Sequence, residues 1–391
     1  RYDELPGRGK PQGRSWTVLA GIVAEVQEED SLQVLTVATG TRCIGVGAMM
    51  SGKGCVVHDC HAEVLCRRAF QRYLLAEMAG GEGGSGILQR SGSGTSLSWR
   101  VRPGVQLHFY VSTLPCGECA LVPISSSDEG TLSRKILRRE QGEPADATPL
   151  RDMNRTGAKP SAGMPVDPRA DGIGFHRNGV LRYKSGRSDT RPESRTVCFS
   201  CSEKVCRWNH TGWQGALLSR LILEPLQMQT IVIGGSLFNE EFIQAALWGR
   251  ASALQARGGS CPGFFHSRVP FHSSREAVEG AEGDSKVSTA GLSLVWSAPA
   301  PAAHDIVERC TAPPLRSISR GVPGFYDILI GHTGQRQGLR KDRQGKKCQG
   351  PSQTTSFPEE ADSWVSPLCK QLMVQDTLSF LTAMLGSEEA V

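Results

Sequence analysis

His61 and Glu63 are separated by a single residue, and the pair Pro115-Cys116 follows further along the chain. A catalytic zinc ion takes three protein ligands and leaves a fourth position open for water. His61 offers an imidazole nitrogen and Cys116 a thiolate, both of which are common zinc ligands. Glu63 is then available to move protons rather than to bind the metal. These residues indicate a hydrolytic reaction in which zinc activates the attacking water molecule.

The elements that carry these residues must bring them together. Residues two apart do not share a face inside a helix, so His61 and Glu63 converge only where a helix begins. The sequence predicts such a start, with Asp59 as the N-cap and a helix over 63–78. Pro115 suits the first turn of a second helix, whose N-terminal amides would favour a Cys116 thiolate. We therefore expect both halves of the site at helix N-termini.

Two cysteines compete for the third ligand position. Cys119 completes a Pro-Cys-x-x-Cys box, which ligand spacing alone favours. Cys201 lies further along the chain, in the segment Ser200-Cys201-Ser202-Glu203-Lys204. A fourth protein ligand would close the metal site and indicate a structural zinc module instead of a catalytic one.

Several segments together resemble the adenosine-to-inosine RNA editing deaminases. They are Gly40-Thr41-Arg42-Cys43-Ile44, His58-Asp59-Cys60-His61-Ala62-Glu63 and residues 200–209. Further segments resemble the branch of that family specific for tRNA, namely 70–75, 155–159, Gly186-Arg187 and 214–218. Two positions depart from the pattern, since His58 stands where the family has Asn and Ala216 where the editing-enzyme branch has Ser.

The resemblance implies a fold, a cofactor set and a reaction. The fold is a three-layer α/β/α deaminase fold with a central mixed sheet, in one domain over residues 1–391. One catalytic zinc ion is expected on His61, Cys116 and Cys201, with Glu63 as the proton shuttle. The reaction is the hydrolytic deamination of adenosine to inosine in tRNA, next to the anticodon of alanine tRNA.

The resemblance also implies a buried inositol hexakisphosphate beneath the metal. Arg67 and Arg68 follow the first ligand segment, and Lys204 and Arg207 follow Cys201. Arginines on a helix usually form a solvated face, but cations that are buried together need an anionic partner. The residues that match the family's site are Arg67, Arg68, Lys204, Arg207, Trp208, Gln214, Lys341 and Lys370.

Alternating strands and helices predict an α/β architecture along the whole chain. Polar and glycine-rich composition predicts insertions at about 80–104 and 125–196. A mobile basic stretch is expected at about 334–363, where the run 336–347 fits a solvated tail and a phosphate contact to RNA equally well. An amphipathic helical region follows over 362–385.

Composition limits the class of protein and its partners. The chain of 391 residues has a formal net charge of +5. Its 13 cysteines are scattered and do not form the regularly spaced pairs of a disulfide framework. We expect a reduced intracellular protein of the cytoplasm or nucleus, because disulfides are rare there and no apolar stretch approaches the ~20 residues of a membrane span. The expected partner is a tRNA substrate, with no membrane, no DNA and a monomeric state.

Three alternatives stay open beside the tRNA deaminase. A double-stranded-RNA editing deaminase is disfavoured because no separate RNA-binding module is apparent. A deaminase-like RNA-binding protein without activity is disfavoured because Glu63 and all three candidate ligands are present. The structural zinc module is the third.

Overall fold

The computed structural model describes most of the chain outside its polar insertions. The described residues are 1–80, 86–91, 98–123, 148–152, 158–160, 173–176, 179–184, 191–251, 259–283, 285–299, 325–336, 366 and 368–385. Arg155, Gly186-Arg187, Lys341 and most of the basic stretch at 334–363 lie outside them.

A central sheet of eight strands organises the described residues, in the order β15-β14-β8-β2-β3-β17-β18-β19. These strands are β2 (Leu19–Val26), β3 (Ser31–Thr39), β8 (Val105–Val111), β14 (Thr230–Ile233), β15 (Gly263–His266), β17 (Leu292–Ser297), β18 (Phe325–Ile330) and β19 (Gln335–Arg336). β15, β14 and β8 run parallel, and the remaining neighbours pair antiparallel. The predicted α/β fold with a central mixed sheet is confirmed.

Shorter strands and the helices surround this sheet. The short strands are β1 (Ser15–Trp16), β4 (Thr41–Cys43), β5 (Asp59–His61), β6 (Leu88–Ser91), β7 (Ser98–Val101), β9 (Leu121–Pro123), β10 (Thr148–Asp152), β11 (Lys159–Pro160), β12 (Ile173–His176), β13 (Arg182–Tyr183) and β16 (Ser288–Thr289). The helices are α1 (Val46–Ser51), α2 (Ala62–Ala79), α3 (Cys201–Thr211), α4 (Gly215–Leu218), α5 (Glu240–Leu247), α6 (Arg275–Gly280) and α7 (Lys370–Leu385). In the described part of the chain, none of the helices combines the length and the apolar character needed to cross a membrane.

One face of the sheet carries the main core. Successive side chains of a strand alternate between faces, and Ile22 pairs with Phe109 across β2 and β8. Both are fully buried, and the Phe109 ring lies 4.8 Å from that of Trp213, which follows α3. α2 packs against β2, β3 and β17, and its buried residues include Leu65 and Phe70. The helix that carries Glu63 is therefore anchored in the best-packed part of the protein.

The other face is covered in part by the N-terminal segment. Val37 and Trp296 pair across β3 and β17, and both are buried. The Arg1 guanidinium lies 5.1 Å from the centre of a Trp296 ring, and the buried Tyr2 packs edge-on against Phe271. The first two residues of the chain thus help to shield this face.

The C-terminal helix docks on α2 through polar contacts. Arg72 of α2 forms a buried ion pair with Asp376 of α7. Arg68 Nη1 donates to the carbonyl oxygen of Leu368, 2.6 Å away. The final segment is thereby tied to the helix of the candidate site.

Three local predictions need correction. The helix expected over 63–78 is present, but its N-cap is His61, because Asp59 belongs to β5 and accepts a hydrogen bond from the His61 amide. The helix expected at Pro115 is absent: Gly117 adopts a left-handed φ of 103°, and only a 3₁₀ turn, Glu118–Ala120, follows. The described part of the 80–104 insertion contains a strand pair, β6 with β7, where a loop was expected.

Candidate metal and anion centre

His61 and the cysteines Cys116 and Cys201 meet where α2 and α3 begin. The His61 ring is in hydrogen-bond contact with the Cys116 thiol, and the thiols of Cys116 and Cys201 contact each other. The Cys201 amide, at the N-terminus of α3, donates to Cys116 Sγ over 3.3 Å. Although burial opposes ionisation, the Cys201 hydrogen bond and the Lys184 ammonium hold the pKa of Cys116 well below its usual range. The site thus combines one imidazole and two thiols, one of which is predisposed to be a thiolate.

Glu63 lies in the first turn of α2 and faces the same cluster. Its side chain is buried, and its charge interacts with those of His61, Cys116 and Cys201. Burial raises the pKa of Glu63 above its ordinary value. Among the described residues, no hydrogen-bond partner reaches Glu63 Oε2. A buried carboxylate oxygen without a partner is costly, so this atom points to a ligand or a water molecule in the site.

Cys119 is close to the cluster, but its hydrogen bond to Ser202 comes from the backbone amide and not from the thiol. Its amide donates to Ser202 Oγ over 3.0 Å, and its side chain is fully buried. Burial, together with the Glu118 and Glu63 carboxylates, raises the pKa of its thiol well above the usual range. Burial and the hydrogen bond with Cys116 raise the pKa of the Cys201 thiol as well, so thiol acidity does not separate the two candidates. Cys201 differs in geometry, because its thiol contacts that of Cys116 and its amide donates to Cys116 Sγ. These contacts support Cys201 as the partner of Cys116.

The Asp59 carboxylate connects the cluster to two lysines. Its Oδ1 accepts from His61 Nδ1 at 2.8 Å, and its Oδ2 accepts from Lys184 at 2.7 Å and from Lys204. Lys184 Nζ also lies 3.2 Å from Cys201 Sγ. Although burial opposes ionisation, the two lysines hold the pKa of Asp59 well below its usual range. Lys184 was not singled out from the sequence, because it lies in a polar insertion without periodicity.

A second grouping of ligand atoms surrounds the opposite side of the imidazole. The ligand atoms of Cys43, Asp59 and His61 lie within 4.8 Å of one another, which is compatible with a single metal ion. However, both Asp59 oxygens already accept hydrogen bonds from charged or ring donors. A carboxylate that holds a histidine by Nδ1 is the usual second-shell support of a metal ligand. We interpret Asp59 as the residue that orients His61 towards the thiols.

A group of cations lies beside this network. The Arg67 guanidinium is 4.7 Å from the centre of a Trp208 ring. Burial and the charges of Arg207 and Arg68 lower the pKa of Arg67 to about 9. Burial, and then the charges of Arg68, Lys370 and Lys204, lower the pKa of His58. Six of the eight predicted residues are therefore close together: Arg67, Arg68, Lys204, Arg207, Trp208 and Lys370.

The remaining two predicted residues differ. Lys341 lies outside the described residues. The side chain of Gln214 is occupied by backbone groups, since its Oε1 accepts from Leu226 N at 2.9 Å and its Nε2 donates to Glu224 O at 3.2 Å. Gln214 therefore supports the local turn in this structure.

Three buried nitrogens in the cation group have no hydrogen-bond partner within the described chain. They are Nε2 of His58, Nε of Arg67 and Nε1 of Trp208. Unpaired buried donors next to several positive charges are unfavourable, and an anion with many acceptor oxygens would satisfy both. His58, which departs from the family pattern, thus fits the cation group.

Comparisons with known proteins agree with the resemblance seen in the sequence. The family model described as "Adenosine-deaminase (editase) domain" matches residues 36–311. The chain is 28% identical to tRNA-specific adenosine deaminase 1 of Mus musculus and 29% identical to that of Homo sapiens, over 75% of this chain and 76% of each relative. It is 33% identical to double-stranded RNA-specific editase Adar of Drosophila melanogaster, over 60% of this chain and 31% of that protein.

The choice between the two cysteines gives the first prediction. We expect Cys201→Ala to lose bound zinc in elemental analysis, because the mutation removes a thiol that contacts Cys116. Cys119→Ala should retain zinc, because the hydrogen bond of Cys119 to Ser202 Oγ comes from its backbone amide, which the mutation keeps. Equal zinc loss in the two variants, with both folded by circular dichroism, would contradict this assignment.

Proposed function

The chain belongs to the adenosine-deaminase (editase) domain family, and on that premise we propose that it deaminates adenosine in tRNA by hydrolysis. The products are inosine and ammonia. The observation that carries the proposal is the cluster of His61, Cys116 and Cys201 beside a buried Glu63 oxygen without a protein partner. This combination places a metal-binding donor set next to a group able to carry a proton.

We propose that His61, Cys116 and Cys201 hold one zinc ion. Imidazole and thiolate are the donors that zinc prefers, and the hydrogen bond from His61 Nδ1 to Asp59 leaves the other ring nitrogen for the metal. A zinc ion bound there would activate a water molecule for attack on the base. Three ligands leave a position open, which favours a catalytic site over the structural zinc module.

Glu63 is the group that we assign to proton transfer. Burial raises the pKa of Glu63 above its ordinary value, which favours the protonated form that a general acid needs. It would take a proton from the attacking water and deliver it to N1 of the adenine ring while the water oxygen bonds to C6. It would then take the proton of the new C6 hydroxyl group and pass it to the amino group, which leaves as ammonia. Because Glu63 makes no hydrogen bond through Oε2 within the described chain, no protein contact has to break first.

The substrate class follows from the relatives and from the cost of exposing the base. An adenine must leave its stack to reach a buried site, and this costs least in a single-stranded loop such as an anticodon loop. We propose the adenosine next to the anticodon of alanine tRNA as the target. A monomeric state and a location in the cytoplasm or nucleus stay predictions from the sequence.

We further propose that the cation group holds an inositol polyphosphate, with inositol hexakisphosphate as the family's example. Arg67, Arg68, Lys204, Arg207 and Lys370 supply charge, and guanidinium groups pair with phosphate through two donors. Lys204 also contacts Asp59, so a single side chain, that of Lys204, would connect the anion to the carboxylate that orients His61.

Removal of the Glu63 carboxylate tests the mechanism. Glu63→Gln should keep zinc and tRNA binding but lose inosine formation by at least ~10²–10⁴-fold, since acid-base help alone is worth that much. Glu77→Gln is the matched control, because Glu77 is a second buried glutamate of α2 that accepts a hydrogen bond from Leu88 N. Near-normal turnover in Glu63→Gln would refute the proposed role.

The substrate is tested by incubation of the protein with total tRNA and, separately, with long duplex RNA. Sequencing should reveal inosine beside the anticodon of alanine tRNA and little change in the duplex. Editing of the duplex with tRNA untouched would identify a double-stranded-RNA editing deaminase. RNA binding without inosine in either substrate would identify the inactive RNA-binding protein.

Native mass spectrometry of gently purified protein tests the buried anion. We expect an additional mass equal to an inositol polyphosphate, and Arg67→Ala should reduce both that mass and the folded yield. The half-buried Arg275, which forms an ion pair with Glu279, provides the control variant Arg275→Ala. Folded, active wild-type protein without the additional mass would rule out this part of the proposal.

A further inference from the structure

Arg250 lies just beyond the end of α5, with its guanidinium buried between three separate segments. Its Nη1 is 2.9 Å from Glu203 Oε1, and its Nη2 is 3.2 Å from Glu118 Oε2. Nη2 also donates to the carbonyl oxygen of Val180 at 3.1 Å. Only 8% of the Arg250 side chain is exposed, so these ion pairs are shielded from water and from salt.

The two carboxylates belong to the segments that carry the candidate metal ligands. Glu118 follows Cys116 by two residues, and Glu203 follows Cys201 by two residues. A change in the distance between these carboxylates must therefore move the two thiols relative to each other.

The same carboxylates also fix the segment that ends in Lys184. Gly179 N donates to Glu118 Oε2 at 2.9 Å, and Arg182 N donates to Glu203 Oε1 at 3.2 Å. Lys184 Nζ then reaches Cys201 Sγ. One guanidinium thus joins both thiol segments and the lysine that lies between Cys201 and Asp59.

We infer that Arg250 is a positioning residue for the metal centre, which it serves by setting the separation of Cys116 and Cys201 and the placement of Lys184. This inference rests on the proposed function, because it concerns the same zinc ligands. Neither the sequence motifs nor the comparisons with known proteins assign Arg250 a role.

A lysine cannot replace Arg250 in this position. Guanidinium offers five donors in a planar fork, whereas an ammonium is a compact charge that cannot reach two carboxylates and a carbonyl from one stem. Loss of the charge would leave two buried carboxylates unpaired, which costs more than loss of the contacts alone. Arg250→Lys therefore isolates geometry, and Arg250→Met removes geometry and charge together.

A second contact between the thiol segments should preserve the fold in Arg250→Lys. Ser202 Oγ donates to the carbonyl oxygen of Cys116 at 2.9 Å and accepts from the Cys119 amide at 3.0 Å. The two segments remain joined there even when the guanidinium is absent. The expected defect is a less well-placed pair of thiols within a folded protein.

The test measures metal affinity rather than activity alone. Zinc affinity of full-length wild type, Arg250→Lys and Arg250→Met is measured by competition with a chromophoric chelator. Sulfur-to-metal charge-transfer absorbance is recorded after replacement of zinc by cobalt(II). We expect zinc binding to weaken by ~10–100-fold in Arg250→Lys, as for other residues that orient metal ligands, and further in Arg250→Met. The cobalt spectrum should change in position or intensity.

Matched controls separate positioning from general stability. Arg275→Lys and Arg275→Met alter a half-buried arginine of α6 that pairs with Glu279, and both should leave the two readouts unchanged. Thermal unfolding of the metal-free proteins shows how far each variant is destabilised. If Arg250→Lys does not fold, Glu118→Gln, which keeps the shape of the side chain but removes one charge, takes its place in the same measurements.

Each outcome decides the inference. Weaker zinc binding with an altered cobalt spectrum in a folded variant supports it. Wild-type zinc affinity and an unchanged spectrum in folded Arg250→Lys, or in Glu118→Gln as its substitute, overturn it while the proposed function stands. Wild-type protein that binds neither zinc nor cobalt and forms no inosine overturns the proposed function and this inference together.

Discussion

The buried carboxylate of Asp59 is the interaction on which the candidate site depends. A carboxylate taken out of water must be paired with charge and hydrogen bonds, and this one has His61 on one oxygen and Lys184 and Lys204 on the other. These partners come from β5, from the segment before α3 and from α3 itself. The electrostatic requirement of a single residue therefore brings together three parts of the chain that are distant in sequence.

Positive charge accumulates next to the candidate metal site beyond what Asp59 requires. Lys204 neutralises Asp59, but Arg67, Arg68, Arg207 and Lys370 add charges beyond that need. The lowered pKa values of Arg67 and His58 record the mutual repulsion of this group as well as its burial. A polyanion would relieve the repulsion, and its binding energy would then contribute to the stability of the fold. The candidate metal site and the cation group thus meet at the contact between Asp59 and Lys204.

The sequence was most informative where residue type alone determines the chemistry. The types of His61, Glu63, Cys116 and Cys201 predicted a zinc site, and the apolar pattern after Glu63 predicted the helix α2 that is observed. Local backbone geometry was less predictable: Pro115 suggested a helix, yet the φ of 103° at Gly117 turns the chain away from one. Lys184 and Arg250 could not be found, because their roles arise from long-range pairing that no local spacing encodes.

The turn at Gly117 shows how closely the two thiol segments approach each other. A side chain at this position would overlap the hydroxyl of Ser200, the N-cap of α3. Glycine thus serves two needs here, the left-handed φ and the absence of a Cβ. Because the approach is this close, the Cys201 amide can donate to Cys116 Sγ, and the N-terminal end of α3 stabilises a negative charge on that sulfur. The sequence motif determines the types of the candidate ligands. The reactivity of the Cys116 sulfur follows from the packing of the Gly117 turn against the N-terminus of α3.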